Sequence, residues 1–360
     1  MRPVVALDAA LLAIPNSAST GNEAETILGR VVDWSAYLES DSAIRIAQLS
    51  GTADTLADLN FFPNPADIDA LLTMFALKHV YTVEDIRYSI SVILDRAPYF
   101  CDLLGSEVRR VSFCAAEPDV LNDYDAGLRP AGERILSSTA CASLIHSEEL
   151  GDILFAALGS RKSDARSVNV HCDIDELVSH FKLTNLYLPV GTSGTVQVAW
   201  SPEDVLTRLS PEAIWKRADD CLDIHLAINL EALAIKRSMT PGALPNMVPG
   251  FYIGSEFYAS LLRNAAGPGG VLADTVRETC ARLILGNAKY AVKPLLKGRK
   301  TKIRQDGAVA FRTHVTKHHA GIRLMFWKRT DNVFELANVG PKNELTIEEG
   351  VSQGLVRRSW

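Results

Sequence analysis

The sequence predicts an α+β fold: a mostly helical N-terminal and middle region with a small hairpin, followed by a C-terminal antiparallel sheet domain. Three observations predict it. Apolar residues recur at helical spacing behind capping signals through the first 150 residues. The period shortens to two in three successive runs near the C-terminus. A Pro/Gly-rich stretch at 239–254 separates the two styles. The expected division is a helical domain over 1–150, a mixed helical and hairpin domain over 151–250 that ends in this linker, and an α+β domain with leading helices over 251–360. A chain of 360 residues, 47% hydrophobic and 22% charged, has apolar material for cores of that size.

The elements follow in order. "MRPVVALDAALLAIPNSAST" carries one early Arg and an Ala-containing end like a secretion signal, but Asp8 interrupts its apolar run. It reads as the first helix of the fold. "PADIDALLTMFALKHV" (65–80) follows Asn64 as cap, with Pro65 at the first helical position. "TVEDIRYSISVILDRAPYFCDLL" opens with Thr82 and Asp85 in a capping-box arrangement, and Pro98 ends or kinks that helix. "LTNLYLPV" (183–190) and "TVQVAW" (195–200) flank "GTSG" and read as a hairpin. Two helices then begin Ser-Pro-Glu, at 201 and 210. Helices resume at "SEFYASLLRNA" and "VLADTVRETCARLILG". "VAFRTHV" (309–315), "GIRLMFWKR" (321–329) and "VFELANVG" (333–340) read as three strands of a meander, with "TDN" as a tight turn.

Composition excludes several classes. No run approaches the roughly 20 uncharged apolar residues that span a bilayer. The six cysteines (Cys101, Cys114, Cys141, Cys172, Cys221, Cys280) include no CxxC pair and sit beside apolar neighbours, so buried free thiols in a reducing cytoplasm are expected. "VHCDIDELVSH" gathers His171, Cys172, Asp173, Asp175 and His180, and "DDCLDIHL" gathers Asp219, Asp220, Cys221, Asp223 and His225. Neither has a structural zinc spacing, and no metal or cofactor is expected. "GTSGT" and "GPGG" lack the Lys-Ser/Thr of a phosphate loop and read as turns.

Charge is divided unevenly. Residues 1–284 carry 22 Lys/Arg against 37 Asp/Glu, a balance of −15, whereas residues 285–330 carry 12 against 1, a balance of +11. Such asymmetry points to a basic module with an anionic partner, or to two parts that neutralise each other. Within the basic module, "RTHVTKHHAGIRLMFW" (312–327) holds three histidines, two arginines and a lysine without one acid.

"KPLLKGRK", then "FRTHVTKHHAGIRLMFW", then "DNVFELANVGPKNELTI" resemble in order and spacing the RelE/ParE-like toxin superfamily, which includes RelE- and HigB-type mRNA interferases and gyrase-poisoning ParE proteins. Coverage is about 285–350, under a quarter of the chain. The resemblance implies a RelE-like sheet that binds RNA, including ribosome-bound mRNA, and cleaves it without metal. It implies that Arg323, in the "GIR" element, binds the scissile phosphate. It also implies that His318 is the base or acid, and that Lys300, Lys302 and Arg304 grip the RNA backbone. The family's Tyr or basic residue near the C-terminus has no clear counterpart, since Tyr290 is the last tyrosine.

The residues can be read without the family. Cleavage through the 2′-OH needs a base, cations for the phosphorane oxygens and an acid for the leaving oxygen, and His, Lys and Arg can fill all three roles. Alternation puts Arg312 and His314 on one strand face and Arg323, Met325 and Trp327 on one face of the next. If the faces coincide, a cationic patch forms with Lys317, His318 and His319 at its edge. Each residue also has a plain reading: His314 as a packing residue, His318-His319 as a solvated turn, Arg323 as a surface arginine, Phe326 and Trp327 as core.

The leading expectation is a toxin-like cytoplasmic effector whose basic domain binds RNA, with the acidic region restraining or targeting it. It would engage no membrane, and an antitoxin or a defence-complex protein would be its protein partner. The alternatives are a non-catalytic nucleic-acid- or protein-binding component of a phage-defence-type assembly, and a ParE-like topoisomerase inhibitor.

Overall fold

A computed structural model describes residues 2–14, 18–39, 44–146, 153–159, 165–180, 187–239, 248–316 and 321–349. Helices and strands mix throughout, as an α+β fold requires. The chain divides into two compact units, 2–208 and 209–360. Among the described residues no helix is long and apolar enough to cross a membrane.

The first unit is built on a six-stranded sheet of order β2-β1-β4-β6-β5-β3. β1 (Val4–Leu7), β2 (Arg45–Gln48), β4 (Leu154–Ala157) and β6 (Val190–Ala199) run parallel, while β5 (Ser167–Ser179) and β3 (Ser106–Glu117) pair antiparallel beyond β6. "VVAL", expected as helix, is instead a strand buried at every position, and "LFAA" of β4 is too. A strand covered on both faces shows no alternation, so its apolar run looks the same as a helix start. Beyond it, α1 (Ala9–Leu12) is capped by Asp8. α2 (Gly21–Glu39) crosses over to β2, and α3 (Thr52–Asp58) and α4 (Pro65–Met74) follow. α4 has Asn64 as cap and Pro at its start, as expected. α5 (Val83–Arg96) carries both halves of the capping box: the Asp85 amide donates to Thr82 Oγ1 at 3.1 Å and the Thr82 amide to Asp85 Oδ2 at 3.0 Å.

α6 (Phe100–Leu104) leads into β3. α7 (Arg129–Ile145) packs on β3, β4, β5 and β6 and buries Gly132, Ser137, Ser138, Thr139, Ala140 and Ala142. Small side chains let backbone and sheet approach closely. A Cβ at Gly132 would lie 2.7 Å from Leu121 Cδ2, and one at Gly194 of β6 would touch Ala140 at 3.7 Å. Gly194 therefore sits inside a strand, and "GTSG" is not a turn. Val190–Ala199 is one continuous strand against β5, which corrects the expected hairpin; residues 183–186 of its other arm lie outside the described residues. α8 (Pro202–Arg208) closes the unit.

The second unit begins with α9 (Pro211–Lys216), capped by Ser210, and α10 (Cys221–Met239). Of the expected linker, residues 240–247 lie outside the described residues, and Phe251–Ile253 forms a buried strand, β7. α11 (Phe257–Arg263) and α12 (Ala273–Ile284) follow, and α12 packs on α10. A five-stranded sheet of order β7-β13-β12-β11-β8 completes the unit, with β8 (Lys293–Pro294), β11 (Val309–His314), β12 (Ile322–Lys328) and β13 (Phe334–Pro341). The three-strand meander matches the sequence expectation. β7, parallel to β13, and β8 extend it on either side. The basic loop contains a short hairpin, β9 (Leu296–Lys297) against β10 (Lys300–Thr301), turning at Gly298 with φ 67°.

Candidate nucleic-acid interface

Register decides which side chains of the second sheet share a face. His314 pairs with Arg323, Arg312 with Met325 and Ala310 with Trp327, while Lys293 of β8 pairs with Arg312 on its other side. Directly paired residues point the same way. Lys293, Arg312, His314 and Arg323 therefore stand on one face with Ala310, Met325 and Trp327. The opposite face carries Thr313, Leu324 and Phe326, all buried, with Phe311 stacked on Phe326 at 5.9 Å.

The cationic face has two unlike halves. Arg312, His314 and Arg323 are partly exposed and Lys293 is exposed. Among the described residues no carboxylate forms an ion pair with Lys293, Arg312 or Arg323. Desolvation, and then the charge of Arg312, pulls the Arg323 guanidinium below its ordinary value. Two guanidiniums held together without a counter-ion among the described residues favour an anion that enters. The His314 ring meets the Tyr290 ring edge-on, with centroids 6.4 Å apart. Lys293 was missed by sequence reading, since only the pairing of β8 with β11 brings it beside Arg312.

The other half is packed. Met325, Trp327, Leu295, Ala308, Ala310, Ala337 and Ile347 form a small buried core. Arg304 lies over the Trp327 ring at 5.0 Å and Lys302 at 5.8 Å. Arg304 donates to both oxygens of the buried Glu335 at 2.7 and 2.8 Å and to Asp306 at 2.8 and 3.0 Å. The hydrogen bonds it donates to Glu335 and Asp306 raise Arg304 above its ordinary value, while Arg304 holds Asp306 down to about 2. Lys302 reaches Glu349 at 2.7 Å. Of the three cations expected to grip RNA in the basic loop, Arg304 and Lys302 are thus engaged inside the unit, and Lys300 is exposed on β10. Trp327 and Phe326 pack, each fully buried. Lys317, His318 and His319 lie outside the described residues.

The two acidic constellations have structural explanations. On β5, His171 and Asp173 point outward while Cys172 and Ile174 point inward, and Asp175 accepts from Ser112 Oγ at 3.0 Å. Asp220 Oδ1 accepts from the Leu222 and Asp223 amides at the start of α10, and His225 stacks on Phe251 at 4.2 Å. Among the described residues no three His, Cys, Asp or Glu are placed to hold a metal ion. The cysteines are free, and burial pushes the Cys114 and Cys141 thiols up to about 11, so neither is an activated nucleophile.

Asp8, which the sequence marks only as a break in an apolar run, is a buried acid of the first unit. Asp8, at the C-terminal end of β1, is 1% exposed and accepts from the Tyr124 hydroxyl and, at 3.3 Å, from the Ala10 amide. Tyr124 Oη in turn accepts from the Gly159 amide at 2.8 Å. Burial pushes the Asp8 carboxyl up to about 6 against the lowering effect of these hydrogen bonds. Asp8 thereby ties β1 to the loops around it.

Comparison with known proteins gives no match: no family model fits the chain, and neither a characterised protein nor a solved structure resembles it.

Proposed function

We propose that residues 285–349 form an RNA-binding surface of RelE-like character and that this binding is the activity of the second unit. One observation carries the proposal: Lys293, Arg312 and Arg323 stand on one sheet face without a carboxylate partner among the described residues. Arg312 and Arg323 are diagonal neighbours across β11 and β12, roughly 7–8 Å apart at their backbones, a separation that lets both forks reach one phosphodiester or two successive ones. A single-stranded polyanion lying across β8, β11 and β12 would neutralise a row that is otherwise self-repelling. Cleavage is the second reading and rests on His314, which stands directly opposite Arg323 and so within the same phosphate environment. An imidazole there could take the 2′-OH proton while the arginines hold the phosphorane oxygens. The acidic first unit, in this proposal, restrains or targets the basic one, and the setting is cytoplasmic with an antitoxin or defence-complex protein as partner.

Binding and cleavage of a single-stranded RNA are measured for the full chain beside Arg312→Ala, Arg323→Ala and His314→Ala. Each arginine variant should bind about tenfold more weakly, and the slope of log K against log salt should fall by roughly 0.7 for each phosphate no longer neutralised. Affinity unchanged in both arginine variants would overturn the proposal. Cleavage abolished in Arg323→Ala supports the interferase reading, whereas salt-sensitive binding without cleavage favours a non-catalytic module.

A further inference from the structure

The row that begins in the open at Arg323 continues along β12 through Met325 to Trp327, since residues two apart share a face. That second half is covered by the chain itself. Residues 344–349, "ELTIEE", cross the sheet face without joining its ladder. Ile347 is their one buried anchor, inserted among Leu295, Met325 and Trp327. Asn338 reads the segment's backbone with both ends of its amide: Nδ2 donates to Thr346 O at 3.3 Å, and Oδ1 accepts from the Glu348 amide at 3.1 Å. The Trp327 indole donates to Glu348 O at 2.8 Å, and Glu349, whose side chain is 58% exposed, reaches Lys302. Each of these ties runs between the segment and a side chain of the sheet or hairpin. The segment can therefore lift away without breaking a strand pair, the mark of a locally opening element.

What lies beneath is suited to a nucleic acid. Trp327 is a broad aromatic surface continuous with the Arg312–Arg323 row, and Lys302 beside its ring is released from Glu349 when the segment lifts, while Arg304 stays bound to Glu335 and Asp306. Single-stranded RNA is held by such a combination: bases stack on aromatic rings while cations follow the backbone. The covering segment has the matching opposite character, with Glu344, Glu348 and Glu349 on a stretch outside any helix or strand. Resting on the RNA-binding function proposed above, we propose that residues 344–349 are an acidic strap that occupies the aromatic half of the RNA site in place of the polyanion. The strap must lift for RNA to reach Trp327. Affinity for RNA is then reduced by the fraction of molecules with the strap closed. By reciprocity, bound RNA opens the strap.

The test uses the full chain, Ile347→Ala, which removes the buried anchor, and Glu349→Gln, which removes an exposed charge and leaves the fold intact. The probe is a fluorescein-labelled single-stranded oligouridylate, read by anisotropy. Hydrogen exchange of the 344–349 peptide in the unmodified chain is followed with and without saturating RNA. Binding should tighten about tenfold in Ile347→Ala and severalfold in Glu349→Gln, and RNA should speed exchange at 345–349. If binding depends on Arg323 but neither variant tightens it, and exchange is unchanged or slowed, the strap is overturned and the RNA-binding face stands. If none of the three proteins binds RNA, the face and the strap fall together. Should Ile347→Ala misfold, Glu349→Gln and the exchange of the unmodified chain decide the matter.

Discussion

Replacing Asp8 with Asn tests the energetics of the first unit, because the substitution keeps an acceptor oxygen for Tyr124 and removes the charge. Asp8 titrates in the folded chain at about 6, against 3.8 for an ordinary aspartate. The difference of about 2 pH units is worth about 3 kcal/mol at 1.36 kcal/mol per unit. Its sign follows from which state binds the proton more tightly. The folded state does, so the neutral acid's advantage is fully present below pH 3.8 and is lost as pH rises through about 6. Asp8→Asn should therefore match the unmodified chain near pH 4 and exceed it in stability by up to about 3 kcal/mol near pH 8. Urea unfolding of both proteins from pH 4 to 8, followed by amide exchange at β1 and β4 so that this unit reports alone, gives the difference directly. Other carboxylates cancel in the subtraction. A difference independent of pH, or one in which the unmodified chain gains on the variant as pH rises, would refute the desolvation argument. It would mean that the hydrogen bonds from Tyr124 and the Ala10 amide stabilise the anion more than burial destabilises it.

Two other substitutions probe the packing. Glu335→Gln leaves Arg304 and Arg329 facing a neutral buried amide, and it should destabilise the second unit by about 3 kcal/mol in denaturant unfolding. Gly132→Ala sets about 1 kcal/mol of helix propensity against a Cβ within 2.7 Å of Leu121 and 2.9 Å of Tyr124, a ring fixed by its bond to Asp8. Overpacking of about 1–3 kcal/mol wins, so a net loss of about 1 kcal/mol is expected by thermal unfolding.

Helix starts were legible in the sequence because a cap is a local device. Asn64-Pro65, Thr82 with Asp85, and Ser210-Pro211 each satisfy amides a few residues away, and each is found in place. The central sheet of the first unit was not legible, because its cause is distant. Val4–Leu7 is a strand only because β2 and β4 flank it, and Gly194 looks like a turn residue until Ala140 of α7 is brought against it. The candidate interface divides the same way. Alternation along β11 and β12 could be read directly, so Arg312 with His314, and Arg323 with Trp327, were placed on common faces. Register and counter-ions could not be read. Lys293 joins the row only through β8, and Arg304 is withdrawn from it by Glu335, 31 residues further along the chain.

The position of β1 between β2 and β4 has a consequence during synthesis. Val4 pairs with Arg45 on one side and with Leu154 on the other, so its second neighbour emerges 150 residues later. At 5–20 residues per second the ribosome needs roughly 8–30 s to deliver it. For that interval a wholly apolar strand has one edge unpaired while its closing partner is still untranslated. The nascent chain is then a client for holding factors, and slow elongation between the codons for β1 and β4 prolongs the period in which it can aggregate.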